Sequence, residues 1–272
     1  MVEIQTILNA YYSSVTINTT FTGATQVGQV DFATALTSGW NQSYSGKILT
    51  VNGGGDVNIS NALSIGNPSG VVTADGNTTN GLSVVTAGDI NVTASISTKG
   101  SQDYNYNNTM PNGGSVTLNS TAGTVRVSAQ ITTSGAISTS NANYGGSGGA
   151  ISITGVGGVS ISADLVAIGN GTANYGAITI SDGNATVTSG GGVNDGVSGV
   201  IGGSTFTKSG VGVLKISGVN AWTGTTTISG GTLQLGSGSN IPDASAVSFS
   251  AAGTVLDMNG YSETIGSLAI VS

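Results

Sequence analysis

Asp56 and Asp89 open two nearly identical phrases, GGDVNISNALSIG (54–66) and AGDINVTASISTKG (87–100). Two carboxylates in equivalent settings are what a glycosidase or lyase uses as acid and base, and what a cation site uses as first ligands. Each also follows a Gly at the start of an alternating apolar run, where an Asp ordinarily turns the chain by bonding nearby backbone. The equivalent positions in later copies hold Thr124, Gly158 and Asn184, so an acidic column along the repeat stops at two. Elsewhere the acids are sparse, with Asp257 and Glu263 the nearest two in sequence. The turn reading is preferred for both aspartates, and no catalytic residue is assigned.

The remaining residue types narrow the chemistry further. The chain contains neither His nor Cys, which removes Ser–His and Cys–His nucleophile systems and imidazole or thiolate zinc sites. No lysine has a Ser three residues before it, against serine–lysine catalysis, and no G-x-x-x-x-G-K-[ST] phosphate loop occurs. GGGDVNIS lacks the spacing of the calcium-binding nonapeptide roll and does not recur as an array, and DGN at 75–77 and 182–184 reads as a tight turn. No metal site and no cofactor is expected. Ice binding would need ranks of Thr-x-Thr in register; TFT (205–207) and TTT (225–227) read as isolated and out of register.

The elements that carry these residues repeat. Triplets of short strands run ILTVN, DVNIS, ALSIG (48–52, 56–60, 62–66), then LSVVT, DINVT, SIST (82–86, 89–93, 95–98). SVTL, TVRV, QITT (115–118, 124–127, 130–133) and AISI, GVSI, DLVAI (150–153, 158–161, 164–168) follow. AITI and ATVT (177–180, 185–188) lead to VLKIS, TTTIS, TLQLG (213–217, 225–229, 232–236). Val57 and Ile59 flank Asn58, Val125 and Val127 flank Arg126, and Leu214 and Ile216 flank Lys215. Period two places the apolar set on one face and the polar residue on the other. Three strands per turn with all apolar side chains inward describe an all-β, right-handed, single-stranded parallel β-helix. One coil cannot bury its own apolar face, so stacking is what makes the repetition necessary. A β-sandwich is the rival reading of many short alternating strands.

Composition agrees with this. There are 46 Gly, 3 Pro and only 6% charged residues, with a formal charge of −7. Lys47, Lys99, Arg126, Lys208 and Lys215 are scattered, so no phosphate-neutralising surface forms and nucleic-acid binding is not expected. Apolar runs are too short to cross a bilayer as a helix. No long helix is expected; IQTILNAYY (4–12) reads as an irregular strand or cap. MVEIQTILNAYY lacks the basic and apolar regions of a signal peptide, and the chain reads as a segment of a larger exported protein.

Residues 203–268 carry TKSGVGVLKISG (207–218), the Asn220–Trp222–Gly224 turn, GGTLQLG (230–236) and LDMNG…IGSLA (256–260, 265–269). This stretch resembles the autotransporter-associated β-strand repeat. Residues 15–200, with GQVDFATALTSGW…GKILTVNGGGDVNISNALSI (28–65), resemble more loosely the repeats of filamentous-haemagglutinin-type exoproteins. The resemblance implies a secreted or surface-displayed passenger of a bacterial adhesin or exoprotein. It divides one continuous solenoid into capping coils (1–47), haemagglutinin-like coils (48–202) and autotransporter-repeat coils (203–272).

The triplets vary little, whereas the segments after each third strand vary greatly: 66–81, 98–114, 134–149 and 169–176. All occupy one point in the coil cycle and should project from one edge, where repeat proteins often bind. Tyr104, Tyr106, Tyr144 and Tyr175 sit there among Asn, Ser and Gly, a composition suited to adaptable contacts and sugar rings. The expected function is a non-catalytic stalk with these tyrosines as ligand-binding candidates, the partner an extracellular glycan or a matrix or cell-surface protein. A β-helix carbohydrate-active enzyme and a filament subunit that associates end to end are the alternatives.

Overall fold

Alternation decides which way each side chain points, and stacking decides what it meets. In the computed structural model, Val57 and Ile59 are fully buried on either side of half-exposed Asn58, as are Val125 and Val127 around Arg126. The structure describes residues 14–19, 29–32, 36–37, 48–65, 80–100, 111–136, 145–170, 174–183, 196–197 and 201–270. The 4–12 stretch lies outside them. Among the described residues every regular element is a strand and every strand pairing is parallel. Parallel pairing throughout disposes of the antiparallel sandwich.

The strands form three sheets, of ten, nine and six strands, referred to here as the first, second and third faces. Successive visits of the chain take adjacent places in each sheet, as in a coil. The second coil comprises Ile48–Gly53, Val57–Ile59 and Leu63–Ser64. Gly81–Thr86, Ile90–Val92 and Ile96–Ser97 form the third. The fourth runs Val116–Ser120, Thr124–Val127, Ile131–Thr132, and the fifth Ile151–Gly155, Gly158–Ile161, Leu165–Val166. Coils six to ten begin with Ile178–Asp182, Phe206–Ser209, Thr226–Ile228, Ala246–Phe249 and Ser267–Ile270.

Register keeps like residues in column. Leu49, Leu82, Val116, Ile151, Ile178 and Phe206 stack inward on the first face. Leu63, Ile96, Ile131 and Leu165 do so on the third. These columns belong to a single apolar cluster that runs the length of the stack. Outside, the central column of the first face is hydroxylic and uncharged: Thr50, Ser83, Thr117, Ser152, Thr179, Thr207, Thr227 and Ser248. Thr207 and Thr227 are directly paired, so the TFT and TTT segments stand in register, contrary to the sequence expectation. The central column of the second face holds the charges, with Asp31, Arg126, Lys215 and Asp257 among Asn58, Asn91, Ser160 and Gln234.

Three strands per coil persist to Ile201–Gly202, the last strand of the third face. Coils seven, eight and nine have two strands each, and an irregular span replaces the third. VLKIS, TTTIS and TLQLG therefore do not make one coil. Val213–Ile216 is the second face of coil seven, while Thr226–Ile228 and Thr232–Leu235 are the first and second faces of coil eight. Trp222 takes the place of the missing strand. Its ring is buried, stacked on Phe206 with centroids 4.8 Å apart and an interplanar angle of 28°. Its indole N–H is shared between Thr226 Oγ1 (3.0 Å) and Ser245 Oγ (3.2 Å). One large aromatic thus fills the volume that three-strand coils fill with aliphatic columns.

Candidate functional site

The paired aspartates sit at the corner between the first and second faces, just before the second-face strands. Asp89 N–H donates to Asp56 Oδ1 (2.9 Å), and Thr124 N–H donates to Asp89 Oδ1 (2.8 Å). Each carboxylate therefore holds the incoming backbone of the next coil, the turn role expected from sequence. Thr124 pairs with Gly158 one coil further, as the repeat alignment requires. Asp89 also accepts from Arg126 through Oδ2 at 2.9 Å, and both side chains are partly exposed. Burial raises the Asp89 pKa, but the Thr124 N–H and the Arg126 guanidinium outweigh it and hold the carboxyl below its usual range. A carboxylate kept ionised and engaged on both oxygens is a poor general acid.

From there a polar ladder runs along the second face. Asn58 Nδ2 donates to Asp31 Oδ1 (2.7 Å), and Asn91 Nδ2 donates to Asn58 Oδ1 (3.0 Å). At the far end Gln234 Nε2 donates to Asp257 Oδ2 (2.7 Å). Among the described residues no three or more acids come together. A cavity of about 530 Å³ lies at the last coil, between Phe249, residues 250–254 and Ile270, and has no ionisable group in its lining.

The base of the insert edge is closed by hydrogen bonds across each insert. Gly114 N–H donates to Thr98 O (2.9 Å), while Thr98 Oγ1 donates to Gly114 O (2.6 Å). One coil on, Gly149 N–H donates to Thr133 O (2.7 Å) and Thr133 Oγ1 to Gly149 O (2.6 Å). The next insert closes through Gly176 N–H to Ala167 O (2.7 Å). These pairs pinch each insert at its neck. A Cβ on Gly114 would fall 1.1 Å from Asn80 O, so the exit of one insert lies directly on the exit of the one before. Close backbone approach of this kind admits only Gly. Of the four tyrosines, Tyr175 lies half-buried beside its neck at Gly176, and Tyr104, Tyr106 and Tyr144 lie outside the described residues.

Two features were missed in the sequence. Lys208 is fully buried, in the inward column between Ile180 and Ile228. Its Nζ donates to Ser209 O (2.6 Å), Gly210 O (3.0 Å) and Gly230 O (3.2 Å). Desolvation lowers its pKa to about 8, with Asp182 opposing. The signal was present: in FTKS the alternation that sends Phe206 inward sends Lys208 inward too. The second is an asparagine lattice on the irregular span of the later coils. Asn240 Oδ1 accepts from Gly236 N–H (3.1 Å) and Ser237 N–H (2.9 Å), and its Nδ2 donates to Gly218 O (2.9 Å). Asn220 Nδ2 donates to Asn240 O (2.7 Å), and Glu263 Oε2 accepts from Asn240 N–H (2.7 Å). These amides do for the irregular span what the third-face ladder does earlier.

Fold and ladders together define a parallel β-helix whose outer polar residues mainly bond the next coil. Within it, residues 206–235 match the family model of the passenger-associated transport repeat. That segment begins at Phe206 and ends at Leu235, and it contains Lys208, Asn220 and Trp222. The match falls within residues 203–268 and bears out the autotransporter-type resemblance there, a repeat of exported passenger polypeptides. No curated protein and no solved structure matches the chain.

Proposed function

We propose that the chain is a non-catalytic segment of a secreted or surface-displayed bacterial passenger, serving as an elongated stalk with one adhesive edge. The observation that carries this reading is the stacking of insert necks on one edge of an in-register coil. The necks of the variable segments thereby stack in a row, while Asp31, Asn58, Asn91, Asp56 and Asp89 on and beside the second face are engaged in coil-to-coil bonds. The passenger repeat at 206–235 supports the exported setting. The engaged state of Asp56, Asp89 and Arg126 favours a structural over a hydrolytic role. The looser haemagglutinin-like pattern over 15–200 belongs to the same proposal.

The edge would take an extracellular glycan or a matrix or cell-surface protein, with the rest of a parent protein as covalent neighbour. Nucleic-acid binding and membrane insertion form no part of it; among the described residues no helix is long and apolar enough to cross a membrane. Screening the 272-residue chain on arrays of glycans and matrix proteins tests the reading, with Tyr104, Tyr106, Tyr144 and Tyr175 changed to Ser as the control. Binding that the four changes abolish is the expected result. Unaltered binding would move the adhesive surface off this edge, and turnover of a bound polysaccharide would replace the stalk by an enzyme.

A further inference from the structure

Five Asn–Gly bonds occur in the chain, at 52–53, 80–81, 112–113, 170–171 and 259–260. Such a bond can rearrange without an enzyme, because a glycine nitrogen has no side chain beside it to block attack on the preceding carboxamide. Four of the five have both residues described, and the fold treats them differently. Asn52 and Gly53 lie in a strand paired on both sides, and Asn52 Nδ2 donates to Asn18 Oδ1 (2.9 Å). Asn80 is buried, and Gly81 opens the paired strand Gly81–Thr86. Gly113 N–H donates to Ser147 O (2.8 Å), and Asn112 Oδ1 accepts from Ser147 N–H (2.7 Å). In each case pairing or burial fixes the two groups that would have to meet. Asn259–Gly260 differs. It is the central pair of the turn Met258–Tyr261, closed by Tyr261 N–H to Met258 O (2.8 Å), with φ of +48° and +81°, as in a type I′ turn. Both residues are exposed, and nothing lies within 4 Å of the place a Gly260 Cβ would take. Among the described residues the Gly260 N–H has no partner. The Asn259 side chain is tied to coil eight through Nδ2, which donates to Leu235 O (3.1 Å).

We propose that Asn259 is a self-modification site, at which the chain turns its own carboxamide into a carboxylate and so unties this turn of coil nine from coil eight. The Gly260 amide nitrogen gives its proton to hydroxide and attacks Asn259 Cγ. The new C–N bond closes a five-membered imide as the Cγ–Nδ2 bond breaks, and the departing nitrogen takes a proton from water and leaves as ammonia. Water then opens the ring at either carbonyl, leaving an aspartate or an isoaspartate at position 259. Either product replaces the donor that met Leu235 O by an anion, beside the Asp257 carboxylate that accepts from Asn259 N–H (2.9 Å). The isoaspartate also adds one carbon to the main chain inside the turn, which parts Tyr261 N–H from Met258 O.

Peptide mapping by mass spectrometry tests this on the full chain, held folded in mildly alkaline buffer. The 259–260 peptide should exchange NH2 for OH before the peptides of 52–53, 80–81 and 112–113, and should yield both isomers. Its rate should follow hydroxide concentration. In guanidinium the four sites should convert at similar rates, since the fold rather than the local sequence sets the difference. Asn259→Gln, whose longer side chain would have to close a six-membered ring, should stay unmodified there over the same period. In the converted chain the Tyr261 amide should lose its hydrogen-exchange protection, while Val116, bonded to Ala150 O, keeps its own. Folded Asn259 converting no faster than Asn112, or the same preference for 259 in guanidinium, overturns the proposal. So does an aspartate-only product, or a Tyr261 amide still protected in the converted chain.

Discussion

Replacing Trp222 by Ala should be among the most damaging single changes in the later coils. The side chain is 1% exposed and fills the space left by the missing third strand. Removing a buried Trp costs about 3–5 kcal/mol, of which the stack on Phe206 accounts for roughly 0.5–1.5. Little should be added for orphaned hydroxyls, because Thr226 Oγ1 and Ser245 Oγ bond each other (2.8 Å) and Ser245 Oγ donates to Gly224 O (2.7 Å). Trp222→Phe keeps an aromatic over Phe206 and loses the indole N–H and some area, so its cost should be about 1–2 kcal/mol. Urea unfolding followed by circular dichroism gives the total. Native-state exchange at the Phe206 amide, bonded to Thr225 O, localises the loss to coils seven and eight. A cost under about 1 kcal/mol for the Ala variant would refute the view that one indole replaces a strand. So would a Phe variant as damaged as the Ala variant.

Gly114→Val should break the row of insert necks, since its Cβ would strike the Asn80 carbonyl at 1.1 Å; limited proteolysis should then cut within 98–114. Gly253→Ala, where φ is +75° and nothing lies within 4 Å, should cost only about 1 kcal/mol of backbone strain by thermal melting. Asp89→Asn should lower stability by about 1 kcal/mol or less, because the Arg126 pair is partly exposed. Its carboxyl is held below the ordinary aspartate value of 3.8, so the contribution is present above that pH and lost as pH falls further. Melting curves of parent and variant should therefore converge in acid. Calcium or EDTA should leave the melting temperature unchanged, and a calcium-dependent rise would restore a cation role for the turn aspartates.

Much of this protein was legible in its residues alone. Val57-Asn58-Ile59 and Val125-Arg126-Val127 could place their side chains in only one way, because strand geometry alternates faces whatever the surroundings. The recurrence of such triplets required stacking, since no coil buries its own apolar face, and the turn role of Asp56 and Asp89 followed from their place after Gly. Local spacing did not carry phase or register across the irregular spans. TTTIS belongs to a new coil because Trp222, not a strand, completes the one before, and Thr226 points inward where a polar residue looks misplaced until Trp222 and Ser245 are seen to bond it. Thr207 and Thr227 became neighbours through the length of that same span. The FTKS alternation already points Lys208 inward, but Gly230 O, which accepts from its ammonium, is brought there only by the closing of successive coils. Period and composition thus determined strands, faces and coil, being properties of consecutive residues. Register, the carbonyl partners of buried Lys208 and the row of insert necks were decided by tertiary structure, because each depends on backbone groups one full turn of the solenoid away.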